Sequence, residues 1–177
     1  MSGADRLHAQ DLVLALKLAL VEPYRPSHRD LAAALHESVG EIAKGRARLS
    51  ACRLLGDDGS VRRDVLASVL VHAVGHIFPA ALGRRSTGLP TGPGVGDIAV
   101  VAALDPETVW VWPTAAVNAP VPGRSVEPLY PAAPQAAYDD PALHGFLALI
   151  DILRIDTPPQ PRRVAAEEIR GRLLGRR

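Results

Sequence analysis

Proline placement constrains this chain more than any other feature. Thirteen of its 16 prolines fall within residues 86–161, and Pro23 and Pro26 are the only two before Pro79. Proline removes a backbone donor and clashes with the preceding helical turn. The stretch before Pro79 is therefore free to be helical, whereas the stretch after it must be built of short pieces. Five glycines crowded into residues 83–96 reinforce the change. This break divides the chain into an N-terminal region, 1–78, and a proline-rich region, 79–177.

Apolar residues make up 47% of the 177, which excludes wholesale disorder, and aromatics are only 4%, so the core must be mostly Leu, Val and Ala. Cys52 is the sole cysteine; it rules out an internal disulfide and a cysteine-built zinc site and suits a reducing cytoplasm. Residues 12–21 are apolar, but Lys17 interrupts them and no basic leader precedes them, so no secretory signal is read. No apolar run approaches the roughly 20 residues that span a bilayer. The expectation is a soluble, cytoplasmic protein with no membrane partner. The net charge of +1 conceals segregation, with +5 over residues 44–85 and −6 over residues 86–161. Such a footprint suits a polyanion, although basic runs also serve simply as solvated helix faces.

Apolar spacing predicts a first helix over 8–21, with Leu12, Val13, Leu16 and Leu20 facing inward, ended by Pro23 and Pro26. Ser27 with Asp30, and Ser38 with Glu41, each have the spacing of a capping box and open a second and a third helix. Asp58-Gly59 between Leu54-Leu55 and Val61 is a hairpin-turn signal. A fourth helix over 62–77 carries Val65, Leu66, Val69, Leu70 and Val74. Beyond the break, residues 98–104 and 108–112 read as two strands joined at Asp105-Pro106, with Trp110 and Trp112 on one face. Residues 113–140 read as irregular. A helix capped by Asp140 runs from Pro141 to about 155 with a Leu143, Phe146, Leu147, Ile150 and Leu153 stripe, and a basic helix follows over 162–174. That stripe would serve the core or a dimer interface.

The run Leu31-Ala32-Ala33-Ala34-Leu35-His36-Glu37-Ser38, followed by Val39-Gly40-Glu41-Ile42 and closed by Leu49, has the parts of a helix-turn-helix. Ala32 is small where two helices cross, Leu31, Leu35, Ile42 and Leu49 are apolar on the buried faces, and Ser38 caps the second helix. This stretch resembles the winged helix-turn-helix regulators, the group that includes the MarR-like and ArsR-like bacterial repressors, over roughly residues 12–74. Leu54-Leu55 then falls where such proteins enter the wing, and Asp57-Asp58-Gly59 at its tip. The pattern departs at His36, where glycine is usual and a wider or strained corner is predicted, at Arg46, where the usual residue is apolar, and at Gly45, which lowers helix propensity.

The resemblance implies a recognition helix starting at Ser38, with Val39, Gly40, Ala43 and Lys44 meeting base edges and Arg48 a phosphate. Arg62 and Arg63, just beyond the wing, would contact the DNA backbone. It also implies double-stranded DNA as partner, a homodimer reading two half-sites, and repression, in one variant as an autoregulating antitoxin with a toxin partner. The alternative is a protein-interaction module that uses the same corner for docking.

Other features bear on chemistry. Arg84, Arg85, Ser86 and Thr87 set two guanidiniums beside two hydroxyls and fit an effector anion, a DNA-backbone contact or a plain exposed connection. His72 and His76 have the spacing of a metal-binding pair, but Ala73 stands where a zincin has Glu and no third ligand is in view; both read as buried or half-buried structural histidines. Gly92-Pro93-Gly94-Val95-Gly96 lacks the Lys-Ser/Thr ending of a phosphate loop and reads as a flexible loop. No nucleophile elbow is present. The expectation is an α+β chain, mostly α, in which a winged helix-turn-helix precedes a proline-rich region with a short β-hairpin and two helices. No catalytic residue, metal or cofactor is expected.

Overall fold

A computed structural model of the chain describes residues 6–95, 109–115 and 117–175. Its N-terminal half runs through helices α1 (Ala9–Val21), α2 (His28–Leu35), α3 (Val39–Ala51), α4 (Arg63–His72) and the single turn α5 (Val74–Ile77). Strands β1 (Arg85–Thr91), β2 (Trp110–Pro113) and β3 (Val121–Ser125) follow, then helices α6 (Ala133–Asp139), α7 (Pro141–Arg154) and α8 (Pro159–Leu174). The architecture is α+β and mostly helical. No helix among the described residues is long and apolar enough to cross a membrane.

The helix starts follow local chemistry. The Ser27 hydroxyl accepts from the Asp30 amide, and the Asp30 carboxylate accepts from the Ser27 amide, so α2 opens on a reciprocal box. The Ser27 hydroxyl also donates to the Asp30 carboxylate at 2.7 Å, and this bond, with the one from the Ser27 amide, holds the Asp30 carboxyl below its ordinary pKa. Ser38 accepts from the Glu41 amide at the start of α3 without the return bond. Asp140 accepts from the amides of Ala142 and Leu143 and opens α7, with Pro141 as the first helical residue. The long helix read over 62–77 breaks at Ala73 instead of running through.

α7 is the centre of the molecule. Eleven of its 14 residues are buried, and it packs against α1, α5, α6, α8 and β1. One hydrophobic core therefore runs from Leu12, Leu16 and Leu66 through Leu143, Leu147 and Ile169. The break near Pro79 changes the composition but does not separate two cores. Arg154 spans it, donating from Nε to the Phe78 carbonyl at 2.8 Å, while the Ala80 amide donates to the Arg154 carbonyl at 3.1 Å.

The described sheet has three strands. Each of its strands pairs with both others: β1 is antiparallel to β2, with Leu89 opposite Trp112, and antiparallel to β3, with Ser86 opposite Gly123. β2 and β3 meet in parallel, with Trp110 opposite Arg124. The strand expected over 98–104 and the Asp105-Pro106 turn lie outside the described residues. β1 and β3 went unread because Pro90, Pro122 and Gly123 argue against strands in isolation; here the pairing partners outweigh local preference. The region read as irregular, 113–140, holds β3 and α6.

A buried carboxylate locks this sheet to α7. Asp151 Oδ2 accepts from Thr91 Oγ1 and Trp112 Nε1, both at 2.7 Å, and Asp151 Oδ1 accepts from Arg154 Nη1 at 2.7 Å. Burial raises the Asp151 pKa, and the Arg154 charge and three donors work against that rise.

Candidate nucleic-acid interface

The corner between α2 and α3 is built from three residues. His36 takes a left-handed conformation (φ 52°, ψ 43°) and Glu37 donates its amide back to Ala32 at 2.9 Å. His36 thus adopts the backbone that glycine would favour, and the corner is closed and not widened. Its imidazole Nε2 donates to Asp139 Oδ2 of α6 at 2.8 Å, which offsets part of the backbone cost. The buried Tyr130 hydroxyl donates to the Leu35 carbonyl at 2.8 Å, capping the end of α2 from the C-terminal half. Burial raises the Tyr130 pKa, so the phenol stays a donor.

α3 is anchored on one side and displayed on the other. Ile42, Gly45, Arg48 and Leu49 are buried against α1 and α2. Arg48 was read as a phosphate contact, and the structure corrects this. Its Nε and Nη2 each donate to an Asp11 oxygen at 2.7 Å, and the side chains of Arg48 and Asp11 are only 7% and 1% exposed. The hydrogen bonds with Asp11 raise the Arg48 pKa further. A guanidinium paired in this bidentate manner inside the protein cannot reach DNA. Gly45 makes this packing possible, since a Cβ there would stand 2.9 Å from Asp11 Oδ1 and 3.0 Å from Leu14 Cδ2. What lowers helix propensity brings α1 and α3 together.

The opposite side of α3 carries Val39, Gly40, Ala43, Lys44, Ala47, Ser50 and Ala51, all exposed. At about 100° per residue these positions fill one sector of about 140°. Apart from Val39 and Lys44 its side chains are no larger than serine. A Cβ on Gly40 would meet only Ser38 Oγ, at 3.8 Å, so no neighbour in the fold demands a glycine there. Lys44 is exposed and pairs with Glu41 at 2.9 Å; that bond lowers the Glu41 pKa. Exposed pairs of this kind are weak and exchange readily.

After α3 the chain turns back on itself. Leu55 and Val61 form an antiparallel bridge, the Gly56 amide donates to the Ser60 carbonyl at 2.8 Å, and Gly59 (φ 78°) sits at the tip. Asp58 Oδ1 accepts from the Ser60 amide and hydroxyl, bonds that lower the Asp58 pKa. Arg25, from the α1–α2 connection, donates to the Asp58 carbonyl and ties the tip down. Arg62 is exposed beside this hairpin, its guanidinium reaching the Arg53 carbonyl at 3.4 Å. Arg63 is half-buried and bonds Glu22 and the carbonyls of Ala19 and Leu173. It closes the end of α1, and its assignment to the DNA backbone is withdrawn. Arg53, exposed at φ 58°, is a cation the sequence reading missed.

The +5 of residues 44–85 is thus not one patch. Arg48, Arg63 and Lys44 pair with Asp11, Glu22 and Glu41, acids that precede that stretch. Arg85 opens β1, and Arg84 immediately precedes it. Along β1 the exposure alternates, with Arg85 and Thr87 exposed and Ser86 half-buried. Alternation turns Ser86 to the face opposite Arg85 and Thr87, so these three do not share one face. His72 and His76 are both exposed, contrary to the buried setting read for them, and they lie on different helices. Arg170 donates to His72 Nε2 at 3.0 Å. Among the described residues no group of three or more His, Cys, Asp or Glu is placed to hold a metal ion.

Set against known proteins, the chain matches no protein-family model, no curated protein and no solved structure.

Proposed function

We propose that α1–α4 and the Leu55–Val61 hairpin act as a winged helix-turn-helix and that the protein is a DNA-binding transcriptional repressor, working as a homodimer. One observation carries this reading: α3 is clamped by a buried ion pair on one side and presents a smooth exposed sector on the other. The major groove is about 12 Å wide and admits a single α-helix. A helix with Gly40, Ala43 and Ala47 outward lets its backbone approach the base edges closely. Val39, 48% exposed at the first turn, suits a thymine methyl, and Lys44 suits guanine O6/N7 or a phosphate. Arg53 and Arg62 beside the hairpin fit the phosphates that flank the groove.

The test is selection from a randomised duplex pool, followed by fluorescence anisotropy on the enriched sequence at two salt concentrations. With Lys44, Arg53 and Arg62 each neutralising one phosphate, log K against log salt falls with a slope of about −3 per protomer. Absence of binding to any duplex at low salt overturns the reading and leaves the α3 sector as a surface for docking protein.

A further inference from the structure

Arg46 is the residue that fits the helical pattern of α3 least, and the structure gives it a place. It is half-buried, and no acid and no hydrogen-bond acceptor partners it among the described residues. It lines a cavity of about 250 Å³ enclosed by the end of α1, the α1–α2 connection, α3 and the hairpin. Glu22, on the same wall, is already committed, accepting from the Val61 amide and from Arg63. Arg25 holds the Asp58 carboxylate only loosely, in an exposed pair at 3.4 Å that exchanges readily. One positive charge, that of Arg46, is left over.

The cations also converge. The position a Cβ would take on Gly59 lies 3.4 Å from Arg46 Nη2 and 3.6 Å from Arg25 Nη1, so a side chain there would crowd both guanidiniums and glycine does not. The two guanidinium nitrogens are therefore within about 7 Å of each other, a gap that one carboxylate lying between them can bridge. The apolar part of the wall is formed by Leu18, Pro23 and the ring of Tyr24, which is 66% exposed. A volume of this size is below the roughly 300–1,000 Å³ of sites for drug-sized ligands and suits a fragment-sized molecule.

We infer that this cavity is a binding site for a small organic monoanion, a carboxylate with a compact apolar body, gripped by Arg46 and Arg25. Such a ligand touches α3 and the hairpin at once. If the DNA-binding reading above holds, ligand and DNA are coupled, each changing the affinity of the other by the same factor.

The experiment needs no DNA. The full chain is titrated with cyclohexanecarboxylate, and with cyclohexanecarboxamide as its uncharged twin, while backbone amide resonances are followed by NMR. The carboxylate shifts Gly59, Ser60 and Arg46 saturably; the amide does not. Arg46→Met weakens the carboxylate about tenfold or more, in line with loss of one charge-assisted contact. Tyr24→Ala weakens it less, and neither residue is core, so both variants keep the wild-type spectrum elsewhere. Three results overturn the inference: no saturable shift, equal shifts in Arg46→Met, or equal response to the amide. Inorganic phosphate binding as well as the carboxylate would also overturn it, since the apolar wall would then contribute nothing and the site would be a phosphate contact. Because the titration is free of DNA, its failure leaves the anisotropy result standing, and failure of the anisotropy test leaves this one standing.

Discussion

α3 and α7 are nearly equal in length, 13 and 14 residues, and each opens on a side-chain cap, yet they are held in opposite ways. α7 buries eleven residues and touches four helices, strand β1 and the Gly92–Gly94 turn; α3 buries four and touches two helices. α7 is a support, fixed from every side by Leu, Ile and Phe. α3 is an exhibit, held from behind by Ile42, Leu49 and one ion pair. The difference indicates where function can sit. A helix whose every face is packed can change only at the expense of the fold, whereas the exposed sector of α3 can vary at little cost.

The largest expected effect breaks the hold on α3. Asp11→Ala leaves Arg48 buried without its carboxylate, and removing one partner of a buried pair costs about 3–5 kcal/mol. The loss should fall first on α3. Native-state hydrogen exchange should show α3 amides opening well below the global unfolding free energy, while α7 amides still exchange with global unfolding. If α3 and α7 lose protection in parallel, the two helices belong to one cooperative unit and the contrast between them is only geometric.

Sequence made the displayed helix partly legible, and the reasons are local. Ser27, Ser38 and Asp140 announced their helices because capping depends on residues within one turn. The stripe of α7 was readable because burial follows helical periodicity. Arg48 was misread because its partner lies 37 residues away in α1, and nothing in α3 distinguishes a guanidinium turned inward from one turned outward. Gly45 looked like a weakness for the same reason, since the Asp11 and Leu14 atoms it accommodates are remote in sequence. β1 and β3 were hidden because each carries a proline that only long-range pairing excuses. Asp151 could not be singled out, since two of its donors, Thr91 and Trp112, come from strands β1 and β2, whose pairing the sequence did not show.

A smaller effect sharpens the division of labour on the displayed side. Lys44→Ala should leave stability unchanged, because Lys44 is exposed and only pairs with Glu41. Binding to the selected duplex should fall about tenfold, with relaxed preference among single-base variants if Lys44 meets a base. Arg62→Ala should weaken all duplexes about equally and flatten the salt slope by about one phosphate. The measurements are competition anisotropy against a set of operator variants and a salt series for each protein. Equal, sequence-blind losses in both variants would move the base-reading surface away from Lys44, toward Val39 and Gly40.

The smallest effect belongs to α7 and is read as a dependence on pH. His144 lies against Trp112, ring centroids 5.6 Å apart, and its Nε2 donates to the Pro90 carbonyl at 2.7 Å. Burial lowers its pKa below the ordinary 6.5, outweighing the opposing effect of that hydrogen bond. The folded state therefore resists protonation, and the unfolded chain binds the proton first. Stability from this group is complete above about pH 6.5 and declines as pH falls from there toward the depressed folded value. Asp151 on the same helix acts in the opposite sense, because burial raises its pKa and its protonation at low pH favours the fold. A single pH series would mix the two. His144→Gln keeps a donor for the Pro90 carbonyl and removes the titration, so urea midpoints of wild type and variant at pH 8 and pH 5 isolate the histidine. The wild type should lose more stability than His144→Gln between those values. Equal losses would mean that His144 takes up its proton without disturbing the sheet, and that α7 is packed less tightly around Trp112 than its burial implies.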